Sequence, residues 1–179
     1  MQAKGQKLNS AAQVADLAIL FALLLVFSWL ESMLPPPPLP LPLRWGFSNL
    51  VVMYAVFTRP AYTAVILVLL RALFAFLSRG LIAFSLSLCG GLLAVLSVLC
   101  LYYLWPGLFS LPFLSICSAV AHQVGQVFAL SLFYRAFGLI NFSRLLFPLA
   151  ILAYLTGGLN AFLLNQLRHI EKLKAPRSP

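Results

Sequence analysis

Ser118-Ala-Val-Ala-His-Gln-Val-Gly-Gln126 stands inside an apolar run that extends from about Leu108 to Tyr134, long enough to cross a membrane. Hydrocarbon offers no water to a polar side chain, so amide and ionisable groups at that depth face a protein interior or a cavity. At helical pitch Ser118, His122 and Gly125 fall on one face, with Gln126 one turn beyond His122. Polar and small residues sharing a face mark a place where helices pack closely around a site. The same pattern also serves helices that use His122 and Gln126 only as hydrogen-bonding glue.

The rest of the chain has the same character. Of 179 residues, 63% are hydrophobic and 8% charged, and the mean hydropathy is +1.01. A soluble domain of this size cannot cover so much apolar side chain, which predicts an all-α, polytopic membrane protein. A net charge of +9 would point to nucleic acid in a soluble protein. Here the basic residues stand singly between apolar runs or in the tails, which fits membrane flanks. Cys89, Cys100 and Cys117 lie within apolar segments without CxxC spacing and read as small apolar fillers.

In chain order, a polar lead (1–14) precedes a first helix over about 15–34, too long for a signal-peptide core. Ala11, Ala15, Ala18 and Ala22 line one of its faces, a seam that admits a second helix or serves ordinary packing. Glu31 stands near its end. Residues 35–44 hold six prolines and read as a stiff, apolar outer loop, a lid over the bundle or a rigid connector. Thr58-Arg-Pro60 divides the next apolar stretch into helices over about 46–57 and 61–77. The first of these is short for a bilayer and invites borrowing of residues 40–45 or a partial crossing. Arg71 lies inside the second and either snorkels to the interface or is buried against a polar partner.

Helix 4 is read over about 81–104, with a small-residue seam of Ser87, Gly90, Ala94 and Ser97 and with Gly91 beside it. Trp105-Pro-Gly107 ends it. Helix 5, about 109–134, carries the opening stretch. A loop with Arg135 and Arg144 leads to helix 6, about 145–164, which contains Thr156-Gly-Gly-Leu-Asn160, and residues 166–179 form a basic tail. Six spans put both termini on one side. With that side cytoplasmic, Lys4, Lys7, Arg59, Arg168, Lys172, Lys174 and Arg177 face inward and Arg44, Arg79, Arg135 and Arg144 outward. Converging outer arginines would make a basic mouth suited to an anionic ligand, while isolated ones would contact headgroups.

The order Glu31, Pro-rich loop, Ser48-Asn49, Arg71, Ser85-Leu-Ser-Leu-Cys-Gly-Gly91 and Ala121-His-Gln-Val-Gly-Gln126 resembles the Gx transporter family. That family is also called heptaprenyl diphosphate synthase component I and is similar to the substrate-binding S components of energy-coupling factor transporters. Where the family has His-Asn-x-Gly-Gln, Gln123 takes the Asn place, and Phe74-Ala-Phe76 replaces a glycine-containing turn after Arg71. The resemblance implies a six-helix protein of the bacterial cytoplasmic membrane that holds a small molecule near the outer side. It docks on a transmembrane coupling subunit, served by ATPases, through Ala15, Ala18 and Ala22. Similarity in genomic company to flavin-linked electron-transfer modules implies a different possibility, a membrane assembly or anchoring subunit.

Prenyl diphosphate synthesis needs clustered aspartates to hold magnesium, whereas Asp16, Glu31 and Glu171 are the only acids. GxxxxGK[ST] is absent, so ATP chemistry belongs to a partner. Two histidines, His122 and His169, supply neither a paired haem site nor a zinc site. No cofactor and no catalysis are therefore expected. Two readings stand. One is a substrate-capture subunit with His122, Gln126, Gln123, Asn49, Arg71 and Glu31 as binding candidates. The other is an assembly subunit of a flavin- or quinone-linked electron-transfer or isoprenoid-synthesis system.

Overall fold

Helices follow one another with little between them: α1 (Ser10–Met33), α2 (Asn49–Thr58), α3 (Ala61–Arg79), α4 (Leu81–Leu104), α5 (Leu111–Phe133) and α6 (Leu139–Lys174). This computed structural model describes residues 10–35, 44–133 and 139–174, with the side chains of Ser10, 139–146 and 168–174 outside the description. No strand occurs among the described residues. Among the described residues, five helices are long and apolar enough to cross a membrane: Ala11–Met33, Ala61–Arg79, Leu81–Leu104, Leu111–Phe133 and Phe147–Leu167. Large apolar side chains such as Trp29, Leu77, Leu96, Leu132 and Phe147 point outward. In water such a surface would drive association, and in a bilayer it is the solvated face.

α2 is the exception and the centre. Its 10 residues reach about 15 Å, half of a typical hydrocarbon core. Leu50, Val51, Val52, Met53, Ala55 and Val56 are all buried, because α1, α3, α4 and α6 pack around it. The sequence left room for α2 to extend back into residues 40–45. Residues 44–46 are non-helical, 47 and 48 form a turn, and 40–43 lie outside the description. At its far end Arg59 is extended (φ −128°, ψ 166°) before Pro60, the break the Arg-Pro dipeptide predicts.

Two ion pairs fix the register of this segment against α1. Arg59 clasps Asp16 with two bonds (Nε–Oδ2 2.6 Å, Nη2–Oδ1 2.7 Å), and Arg44 Nε stands 3.3 Å from Glu31 Oε1. Asp16 and Glu31 are separated by about 22 Å along α1 at 1.5 Å per residue. The chain from Arg44 to Arg59 therefore runs beside α1, in the opposite direction, over that same distance.

α6 is longer than its apolar run. Residues 139–144, read as part of a loop, and 166–174, read as a tail, are helical. Neither flank contains glycine or proline, and 166–174 is rich in helix formers, so the charges mark the edge of the apolar stretch without ending the helix. Pro148, inside the helix, removes one backbone donor but does not stop it.

The small residues read from the sequence bring α4 and α5 together. Ser87, Gly90, Gly91 and Ala94 are buried, and Ser97 is half-buried. A Cβ on Gly125 would stand 2.5 Å from the Cys89 carbonyl oxygen and 2.7 Å from Gly90 Cα. Gly80, the single residue between α3 and α4, has φ +83° and ψ −170°, a region open essentially to glycine. Alanine at these two positions should fail for different reasons. Gly125→Ala forces two backbones apart, while Gly80→Ala meets no atom within 4 Å and costs only backbone strain. Each should cost about 1–3 kcal/mol. Thermal unfolding in mild detergent checks both, and a neutral Gly125→Ala would refute the close α4–α5 contact.

Candidate functional site

The segment Arg44-Trp45-Gly46 leaves the Pro-rich loop and enters the bundle as non-helical chain, so its backbone groups lack helical partners. Side chains of α5 and α1 supply them. Arg44 N–H donates to Gln126 Oε1 (2.9 Å), Gln123 Nε2 donates to the Arg44 carbonyl (3.2 Å), and Gly46 N–H donates to Glu31 Oε1 (3.0 Å). The Arg44 guanidinium reaches α1 as well, donating to the Ser28 carbonyl (3.1 Å) and hydroxyl (3.2 Å) beside its ion pair with Glu31. Gln123, Gln126 and Glu31 are 4% exposed or less, so these bonds do not compete with water.

This arrangement fixes the state of His122. The Arg44 N–H can only donate, so it selects the oxygen of the Gln126 amide. The amide nitrogen, also a donor, then faces His122 Nε2 at 2.7 Å. Nε2 is therefore the acceptor, and the imidazole is neutral with its proton on Nδ1. One turn earlier on α5, Ser118 Oγ accepts from Asn49 Nδ2 at 2.8 Å and ties the start of α2 to the same face.

Arg71 is buried, 4% exposed, and does not snorkel. Its guanidinium donates to Ser48 Oγ and to the Ser87 carbonyl, both at 3.2 Å. Gly91 leaves the room it occupies, since a Cβ there would stand 2.5 Å from Arg71 Nη2. Glu31 is paired with Arg44 and Asp16 with Arg59, so Arg71 has no carboxylate within 4 Å among the described residues. Arg71 Nε and Glu31 Oε2 are buried without a hydrogen-bond partner. Both residues border a cavity of about 10 Å³, bounded also by Gly46, Ser48, Ser87 and His122, with room for about one water. A separate recess of about 450 Å³ between Leu93, Leu96, Ile116, Val120 and Val124 lies on the outer surface of α4 and α5, apolar like the rest of that face.

All six binding candidates of the sequence reading, Glu31, Asn49, Arg71, His122, Gln123 and Gln126, meet in this buried cluster. Arg44, Ser28, Ser48 and Ser118 complete it and were not among them. Ser28 was legible as the residue one turn before Glu31, and Arg44 as the charge that ends a neutral loop. Of the outer arginines, Arg79 lies within Coulombic range of Arg44 and Glu31. Arg135 and the side chain of Arg144 lie outside the described residues, as do 36–43 of the Pro-rich loop. Ala15, Ala18 and Ala22 stand exposed on α1, apart from the cluster.

Apolar spans exposed to lipid around a buried polar cluster define a multi-pass helical membrane protein in contact with the bilayer. The chain belongs to the heptaprenyl diphosphate synthase component I family, whose model matches residues 20–167 and bears out the resemblance read from the residues. No curated protein and no solved structure matches it.

Gln126→Leu removes the partners of both Arg44 N–H and His122 Nε2. It should cost about 1–3 kcal/mol for each buried group left unpaired, measured as a lower Tm in detergent. In the unsubstituted protein, ¹⁵N NMR of His122 should show Nδ1 protonated and Nε2 bare. A protonated Nε2 would overturn the hydrogen-bond chain from Arg44.

Proposed function

We propose that this chain is the membrane-embedded binding subunit of an energy-coupled small-molecule importer, resembling an S component and without catalysis of its own. The observation that carries this reading is the convergence of side chains from α1, α2, α3 and α5 beneath one non-helical segment, Arg44–Gly46. Polar side chains are costly in a bilayer-embedded bundle, and here they surround a common point rather than dispersing as isolated interhelical bonds. Arg44–Gly46 is the floor of a lid whose withdrawal opens the site toward the Pro-rich loop.

Topology supports the same reading. Arg44 meets Glu31 and Arg59 meets Asp16 at levels about 22 Å apart along α1, which supports the non-helical segment and α2 together serving as a crossing that α2 alone is too short to make. Six crossings would leave both termini on one side, which the excess of basic residues there makes the cytoplasmic side of a bacterial inner membrane in this reading. α1, packed on α2 and α3, presents Ala15, Ala18 and Ala22 outward as the face for a transmembrane coupling subunit. A subunit of that kind brings its own ATPases, which fits a chain with no phosphate-binding loop. Synthase chemistry fits poorly with three acids that are far apart in the sequence.

Native mass spectrometry of protein extracted gently from its own membrane tests the proposal, with ligand retention and partner assembly scored separately. A small molecule held by the unsubstituted chain and lost in His122→Ala, with partner subunits unchanged, is the expected result. Retention of the molecule by His122→Ala with loss of the partners would sink it in favour of an assembly subunit.

A further inference from the structure

We propose that the site binds the anionic group of its ligand, a phosphate or a carboxylate, and that Glu31 is an internal stand-in for that group. The inference rests on the binding-subunit reading and names its substrate class. Its basis is a count of charges in a place where charge is expensive. Arg44 and Arg71 border one cavity with a single carboxylate, Glu31, which pairs with Arg44, and His122 is neutral in its bond to Gln126. The cluster therefore carries one more positive than negative charge. Asp16 cannot compensate, because it is engaged by Arg59 at the opposite end of α1.

Hydrogen bonding points the same way. The Glu31 carboxylate sits where a guanidinium (Arg44) and a backbone N–H (Gly46) converge, the donor set that recognises a carboxylate or phosphate oxygen. Arg71 Nε is buried, unpartnered and on the same small cavity. About 10 Å³ does not admit an anion, so a ligand's anionic group enters by exchange. It takes the Glu31 position, gains Arg71 as an added donor, and releases Glu31. Because Glu31 belongs to α1, occupancy of the site is transmitted to the helix that carries the exposed alanine face.

The test is Glu31→Gln, which keeps the shape and removes the competing charge. Thermal unfolding of purified protein is followed in phosphatidylcholine nanodiscs, with sodium phosphate titrated against sodium chloride at equal ionic strength. Glu31→Gln should be stabilised by phosphate, with half-saturation roughly tenfold below that of the unsubstituted chain. The double variant Glu31→Gln/Arg71→Gln should lose the effect. A parallel series replaces part of the phosphatidylcholine with phosphatidylglycerol. Stabilisation by phosphate identifies a soluble anion, and stabilisation by phosphatidylglycerol alone identifies a lipid headgroup. If Glu31→Gln does not fold in chloride, extraction in phosphate should restore it. Indifference of Glu31→Gln to both anions, failure of that rescue, or an anion effect that survives loss of Arg71 overturns the inference. A neutral or cationic molecule found by mass spectrometry and lost in His122→Ala would do so too, while leaving the binding-subunit reading standing.

Discussion

A stretch of non-helical backbone inside a bilayer-embedded bundle must find its hydrogen bonds within the protein, and Arg44–Gly46 finds three of them on side chains. Lipid supplies no donors or acceptors, so each backbone group left unmatched would cost several kcal/mol. Gln126, Gln123 and Glu31 meet that requirement in turn along the segment. Most of the remaining polar arrangement follows. Gln126 orients His122, Glu31 holds Arg44, and Arg44 reaches Ser28. The polar face of α5 is thus explained first by what it holds in place. Glue and site, alternatives at the level of sequence, need not exclude one another, because the glued element lies over the polar cluster.

The same economy governs α2. Ten residues cannot cross a typical hydrocarbon core, yet ion pairs at both of its approaches match 15 residues of chain against 15 residues of α1. Residues 44–48, a non-helical stretch and a turn, continue the chain beyond α2 and recover part of the missing length. Non-helical backbone needs polar partners, and those partners are the cluster. A short helix and a buried polar site are therefore linked consequences of one choice of geometry.

Much of this was legible from residue types at helical spacing. His122 and Gln126 are one turn apart, and polar groups within a long apolar run are too costly to face lipid, so their burial followed directly. The Thr58-Arg-Pro60 break followed from the constraint proline places on its predecessor. Arg71 was harder. Sequence leaves snorkelling and burial open, and what decides is Gly91 on another helix, which supplies space that spacing along α3 cannot reveal. The part played by Arg44 was hidden because it depends on a loop returning into the bundle, a long-range contact with α1 and α5. The length of α6 was misjudged because charged residues were read as ending a helix, when they only change its solvent.

Energetics set how firmly the Arg44–Gly46 segment is held. Three hydrogen bonds to buried side chains at a net of about 1 kcal/mol each hold it with about 3 kcal/mol, before any contribution from the Glu31 pair. Such a segment would stand withdrawn in about one molecule in a hundred or fewer. In the proposed binding role affinity is reduced by that fraction, so a ligand must restore the lost bonds with donors and acceptors of its own. Gln123, Gln126 and Glu31 present an amide donor, an amide acceptor and a carboxylate to whatever replaces the segment. A ligand that matches this peptide-like polarity meets those groups most fully. One that is wholly apolar leaves three buried groups unmatched and is excluded by the same physics that keeps the segment closed.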